Sequence, residues 1–241
     1  MREYNHVSSV LAVRRCFLCA AVILPLVIGI PVGAQAQDKK TPSDAEKSFK
    51  KRTYDLLPII ELGRDVVKGK GKWMKTEDEL ICRDQHFGPR VQIRYEPPEE
   101  YDFILQFSQG KLRHAVMAMM PNPNGGSFLW KVGVQDGNDF ELMSKSGKPV
   151  KSPGLLKVNT THTTIVQVRR NFIRCLLDGK ELIKVRPNYD DLMIDDWNRM
   201  PDGRFLGVGC DDPTVFHAIW ITEISGPGKF RPRDADKSKK R

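Results

Sequence analysis

The 241-residue chain predicts an all-β fold, in which two antiparallel sheets stack as a β-sandwich of the jelly-roll type. Three observations predict it. Apolar residues recur with period two through most of the body, which gives each segment one buried face and one wetter face. Turn signals separate the segments at Pro97-Pro98, Pro121 to Gly126, Asp136-Gly137, Ser146-Gly147, Asp178-Gly179 and Asp202-Gly203, a spacing that suits a sandwich. Helical patterns are scarce, and no strand–helix alternation supports a doubly wound sheet.

Residues 54–67 hold one helical turn at most, because Pro58 and Gly63 interrupt them. Trp73–Lys75 and residues 79–82 flank an acidic turn and read as a hairpin. Residues 91–95 and 101–107 both favour apolar residues at odd positions. Residues 112–120 are more continuously apolar, as in a strand covered on both sides. Phe128, Trp130, Val132 and Val134 share one parity, as do Phe216, Ala218, Trp220, Thr222 and Ile224. The clearest stretch is 163–185, three short strands joined by two tight turns. Its second turn, Asp178-Gly179, can take positive φ at both central residues and so match the strand twist. That makes Asp178 a turn residue rather than a catalytic one.

The ends read differently. Arg14 and Arg15 precede an apolar run from Cys16 to Val32, and Ala34-Gln35-Ala36 follows as a small-residue cleavage site. This is the pattern of a secretory signal peptide over residues 1–36. The alternative is an uncleaved membrane anchor, since about twenty apolar residues span a bilayer, although Pro25 and Pro31 interrupt the run. Residues 37–52 read as a flexible basic linker, 53–228 as the sandwich, and 229–241 as a disordered basic tail. The formal net charge is +9, but residues 53–225 balance to −1, so the basic character lies in the ends. Such tails can hold a chain near anionic envelope polymers. A neutral body lacks the footprint of specific nucleic-acid binding. After leader removal Cys82, Cys175 and Cys210 remain. An odd number allows one disulfide with a spare thiol, and the apolar strand patterns favour three buried thiols. No transmembrane span follows the leader.

Four pieces then acquire a joint meaning. These are Tyr54-Asp55-Leu56-Leu57 with Gly71-Lys72-Trp73, the phrase Tyr95 to Phe103 around Pro97-Pro98, the turn Leu177-Asp178-Gly179-Lys180, and the close Phe205 to Gly209 followed by Phe216 to Gly226. Their order resembles the concanavalin-A-like lectin/glucanase jelly roll. More narrowly, it is similar to the bacterial 3-keto-disaccharide hydrolase domain family and its exported relatives. The resemblance covers residues 54–230. It implies two stacked sheets with a concave, carbohydrate-binding face. Hydrolase members carry an Asn-Ser-Gly stretch and an arginine strand where this chain has Met119 to Gly126. The Glu-x-Asp-x-x-Glu strand of jelly-roll glucanases is also absent. The resemblance therefore assigns no catalytic residue.

Glycoside cleavage uses paired carboxylates. Asp139 and Glu141 lie two apart on one strand face, where a solvated edge is the ordinary reading. Asp190, Asp191, Asp195 and Asp196 form an acidic loop that could offer oxygen ligands to Ca²⁺, but without EF-hand spacing; loop hydrogen bonding is their ordinary role, and no metal or cofactor is expected. His86, His114, His162 and His217 show no metal-ligand spacing. Binding finds better support in the aromatics, because sugars present apolar faces that Trp can cover. Trp197, beside Asn198 and Arg199, lies outside any apolar periodicity and is the candidate rim contact. Trp130 is a second candidate whose parity favours the core. Three functions follow as expectations. The first is an exported, noncatalytic module that recognises carbohydrate or another envelope component. The second is a hydrolase of a 3-keto-glycoside or related sugar. The third is a purely structural envelope protein.

Overall fold

The structure is a computed structural model that describes residues 50–67, 71–83, 88–147 and 149–231. The leader, residues 37–49 of the linker, His86 and the last ten residues lie outside them. In chain order the strands are β1 (Arg52–Asp55), β2 (Trp73–Lys75), β3 (Leu80–Cys82), β4 (Arg90–Ile93), β5 (Tyr95–Glu96), β6 (Tyr101–Gln109), β7 (Val116–Pro121), β8 (Ser127–Gly133), β9 (Asp139–Leu142), β10 (Val150–Lys151), β11 (His162–Val168), β12 (Ile173–Leu177), β13 (Lys180–Val185), β14 (Leu206–Cys210), β15 (Thr214–Glu223) and β16 (Lys229–Phe230). One helical turn, α1 (Leu62–Asp65), follows β1.

Eight strands make one sheet in the order β13-β12-β11-β6-β15-β3-β2, with β1 also paired to β15. Six make the other, β10-β9-β8-β7-β14-β4, and β16 pairs β5 alone. Every pairing is antiparallel. The chain is thus a two-sheet antiparallel β-sandwich, as the period-two pattern predicts.

Inward residues of both sheets fill one core. Trp130, Phe103, Phe107, Phe128, Phe140 and Phe216 are fully buried within it. Burying each such side chain contributes roughly 1.5–3 kcal/mol. Trp130 stacks on Phe140 with ring centroids 6.5 Å apart and donates its indole N–H to the Thr164 hydroxyl at 2.9 Å. That bond crosses from β8 to β11 and ties the two sheets together. The stretch 163–185 folds as its sequence predicts. Asp178 and Gly179 have φ of 48° and 78°, and the Asp178 carboxylate accepts from the Thr163 N–H at 2.8 Å and lies 2.6 Å from His162 Nδ1. Cys82, Cys175 and Cys210 are all buried thiols in no disulfide.

Several local expectations are corrected. A β-bulge between Phe216 and Ala218 inserts an extra residue and reverses the side-chain parity. Ile219 and Ile221 therefore enter the core, while Trp220 and Thr222 turn outward. Val134 leaves β8 for a tight turn with positive φ at Gln135 and Asp136. His114 precedes β7 rather than lying in it. Asp139 is buried rather than solvated. At the ends, β1 starts inside the predicted linker, and β16 uses residues assigned to the tail. Phe230 packs edge-on against Tyr54 and Tyr95, and the Tyr95 hydroxyl and Gly228 N–H both donate to the buried Glu223.

Candidate functional site

The outer face of the six-stranded sheet is assembled by register. Glu141, Lys131, Met117, Gly209 and Arg90 lie side by side on β9, β8, β7, β14 and β4. The adjacent row holds Leu129, Met119, Gly207 and Gln92. The loop 186–205 crosses this face. Met200 packs with Ala115, Met117, Met119 and Leu129 in a small second core, flanked by Ile194. Glycine at 207 is what admits it: a Cβ there would stand 2.5 Å from Met200 Cε.

Two polar side chains of β4 hold the loop down. Arg90 donates to the carbonyls of Trp197 at 2.5 Å, Arg199 at 3.0 Å and Gly88 at 3.0 Å. Gln92 donates to the carbonyl of Asp202 at 2.6 Å. Both are therefore buried, where alternation alone would leave them wet. Burial lowers the Arg90 pKa, and nearby Asp195 works against that shift.

The anchored loop forms one wall of a cleft of about 470 Å³ lined by Gly88, Lys131, Asp195, Trp197, Asn198 and Asp211. Trp197 is 68% exposed, although its backbone is fixed by Arg90. Asp195 accepts from Lys131 Nζ at 3.0 Å and from the backbone and side-chain amides of Asn198 at 2.9 and 2.8 Å. Burial works to raise its pKa, but Lys131 and Asn198 outweigh burial and hold it below the usual carboxylate range. Asp211 accepts from the Gly88 N–H at 2.7 Å. Burial pushes its pKa up, and that hydrogen bond, Lys131 and His114 only partly oppose the shift. The cleft thus holds an exposed indole, an ammonium and two carboxylates with opposite proton affinities.

The sequence candidates divide accordingly. Trp197 and Asn198 line the cleft; Asn198 is buried and serves mainly to hold Asp195. Arg199 points to solvent and pairs with Asp196 at 2.6 Å. Trp130 is withdrawn as a ligand contact, because it is 0% exposed between the sheets. The four acidic-loop residues do not converge. Asp190 accepts from Asn124 and Asp191 from Ser146, while Asp195 and Asp196 have the partners given above. Among the described residues no group of three or more potential ligands could hold a metal ion.

Lys131 and Asp211 belong to no motif. Alternation could have found Lys131, since Trp130 and Val132 point inward on either side of it. Asp211 is placed only by the turn after β14. A larger cleft of about 640 Å³ lies against Pro97, Pro98, Tyr101, Pro123, Asp202 and Arg204. Glu96, Glu99, Asp202 and Arg204 of its wall are engaged in the pairs Arg170–Glu99, Arg204–Asp202 and Arg231–Glu96.

No family model matches the chain, and no curated protein matches it. Solved structures do. One is the Crh5 transglycosylase in complex with NAG, at 13% identity over 75% of this chain and 86% of that one, with a TM-score of 0.48. A Bacillus subtilis protein of unknown function with a galectin-like fold is 8% identical over 67% and 89%, with a TM-score of 0.47. The carbohydrate binding module CBM66 from Bacillus subtilis is 13% identical over 64% and 89%, with a TM-score of 0.38.

Proposed function

We propose that the Trp197 cleft recognises a saccharide of the cell envelope without cleaving it, and that the chain acts there as an exported binding module. One observation carries the reading. A largely exposed indole is held on an anchored loop beside Lys131, Asp195 and Asp211. Sugar recognition needs such a combination, an aromatic surface for the C–H face and fixed polar groups for the hydroxyls. Export rests on the leader pattern of residues 1–36, and the basic ends would favour an anionic envelope.

A second reading has its own support. Two carboxylates pushed to opposite proton affinities in one cleft are the raw material of acid–base chemistry, which suits a hydrolase of 3-keto-glycosides. Against it, both oxygens of Asp195 are engaged by Lys131 and Asn198. A glycan-array screen of the protein and of Trp197→Ala, run with an assay for 3-keto-sugar release, separates the readings. Binding that depends on Trp197, with no turnover, is expected. Turnover abolished by Asp211→Asn would replace the binding reading with the hydrolase. Absence of both would leave a structural envelope protein.

A further inference from the structure

The outer face of the eight-stranded sheet carries a second constellation. His217 sits at the β-bulge of β15. Its Nε2 lies 2.9 Å from the Ser108 hydroxyl on β6, and its Nδ1 lies 2.9 Å from Glu79 Oε1 beside β3. A carboxylate can only accept, so the ring proton belongs on Nδ1. Nε2 is then left with a lone pair aimed at the Ser108 O–H. This is the nucleophile–base–orienter order of a serine hydrolase, recognised by geometry and role rather than by sequence position.

We infer that Ser108, His217 and Glu79 form an acyl-transfer site that hydrolyses carboxylate esters on this face. The His217 and Glu79 side chains are 27% and 38% exposed, and Ser108 is half-buried, so the constellation lies at the surface rather than in the core. His217 is the residue that the bulge leaves out of the ladder, and it shares the outward face of Val215, which stands opposite Ser108. Gln106, two residues earlier on β6, shares the outward strand face of Ser108. Beyond it lies an apolar row, Leu176, Ile165, Ile104 and Trp220, which are cross-strand neighbours on β12, β11, β6 and β15. All four are half-buried. An ester whose acyl or alcohol portion is apolar could lie along β6 with its carbonyl at Ser108.

The step balances without a cofactor. Ser108 Oγ bonds to the ester carbonyl carbon while His217 Nε2 takes the hydroxyl proton. The carbon–oxygen bond to the alcohol breaks, and His217 returns the proton to the leaving oxygen. Water then repeats the relay: His217 takes its proton, its hydroxyl joins the acyl carbon, and Ser108 leaves as the protonated hydroxyl. The products are a carboxylic acid and an alcohol. Ser108 and His217 are the reacting groups, and Glu79 is a positioning residue that fixes the tautomer.

The test treats the intact protein with a fluorophosphonate, which bonds to activated serines, and follows p-nitrophenyl ester hydrolysis. We expect one covalent adduct, mapped to Ser108, and loss of both signals in Ser108→Ala. His217→Ala should slow labelling by about a thousandfold or more. Glu79→Gln should lower kcat with KM nearly unchanged and shift the acid limb of the pH–rate profile. Circular dichroism and thermal unfolding of each variant identify a failure to fold. No adduct on the folded wild-type protein would overturn the proposal. So would an adduct at another residue, or labelling that folded His217→Ala leaves unchanged; the Glu79–His217–Ser108 chain would then only brace β3, β15 and β6. Neither readout depends on the Trp197 cleft.

Discussion

The two outer faces of the sandwich are built from the same alternating strands and reach opposite ends. The face of the six-stranded sheet is roofed. Gly207 leaves room for Met200, Arg90 and Gln92 bind the roof through its carbonyls, and the cleft forms where the roof ends at Trp197. The face of the eight-stranded sheet holds no such glycines on its central strands. It keeps half-buried side chains, and at the β15 bulge one histidine meets a serine and a carboxylate. An outward position on a strand therefore has no fixed environment. What crosses above it, or an extra residue within it, decides whether it becomes buried scaffolding or accessible chemistry.

The comparison breaks down where the faces share a support. Trp130→Ala removes the indole that bonds to Thr164 across the core. It should destabilise the fold by about 3–5 kcal/mol, measured by chemical denaturation, and weaken saccharide binding and ester hydrolysis together. Arg90→Ala should separate them. It leaves two loop carbonyls and that of Gly88 without their donor and should cost about 2–3 kcal/mol. Saccharide binding should fall with the loop, while labelling of Ser108 persists. Equal loss of both activities would mean that the faces are not independent.

How much of this was legible follows from the period-two rule. Alternation with turn chemistry gave the sandwich, the 163–185 meander and the inward placing of Val91, Phe103 and Phe128. It failed at Trp220 because a bulge leaves no mark in a pattern of apolar residues. It failed at Arg90 and Gln92 because their burial comes from a loop more than 100 residues later in the chain. Trp197 stood out because no periodicity explained it. Ser108, His217 and Glu79 could not be joined in advance, since nothing local relates residues separated by 109 and 138 positions.

Smaller effects sharpen the account of the cleft. Trp197→Ala should leave stability within about 0.5 kcal/mol, because the side chain is largely exposed, while weakening saccharide binding by about tenfold or more. The smallest effect is electrostatic. The Asp211 pKa is raised in the folded protein, so the native state holds this proton more tightly than the unfolded chain. Its contribution to stability is present below the unfolded carboxylate value, about 3.9, and is lost as pH rises through the folded value. Asp195, lowered, contributes in the opposite sense: its stabilisation is present above about 3.9 and is lost as pH falls through its folded value. Asp211→Asn can keep an acceptor for Gly88 and should remove the first slope and leave the second, read from unfolding free energies across acidic pH.

The central claim, that an exposed indole on an anchored loop recognises sugar, meets its most direct test in the four indole N–H resonances of Trp73, Trp130, Trp197 and Trp220. On titration with the glycans drawn from the array, the Trp197 signal is predicted to move first and saturably, with Trp130 unmoved. A Trp197 signal that stays fixed while a glycan binds, or while Trp220 on the opposite face shifts, would contradict it.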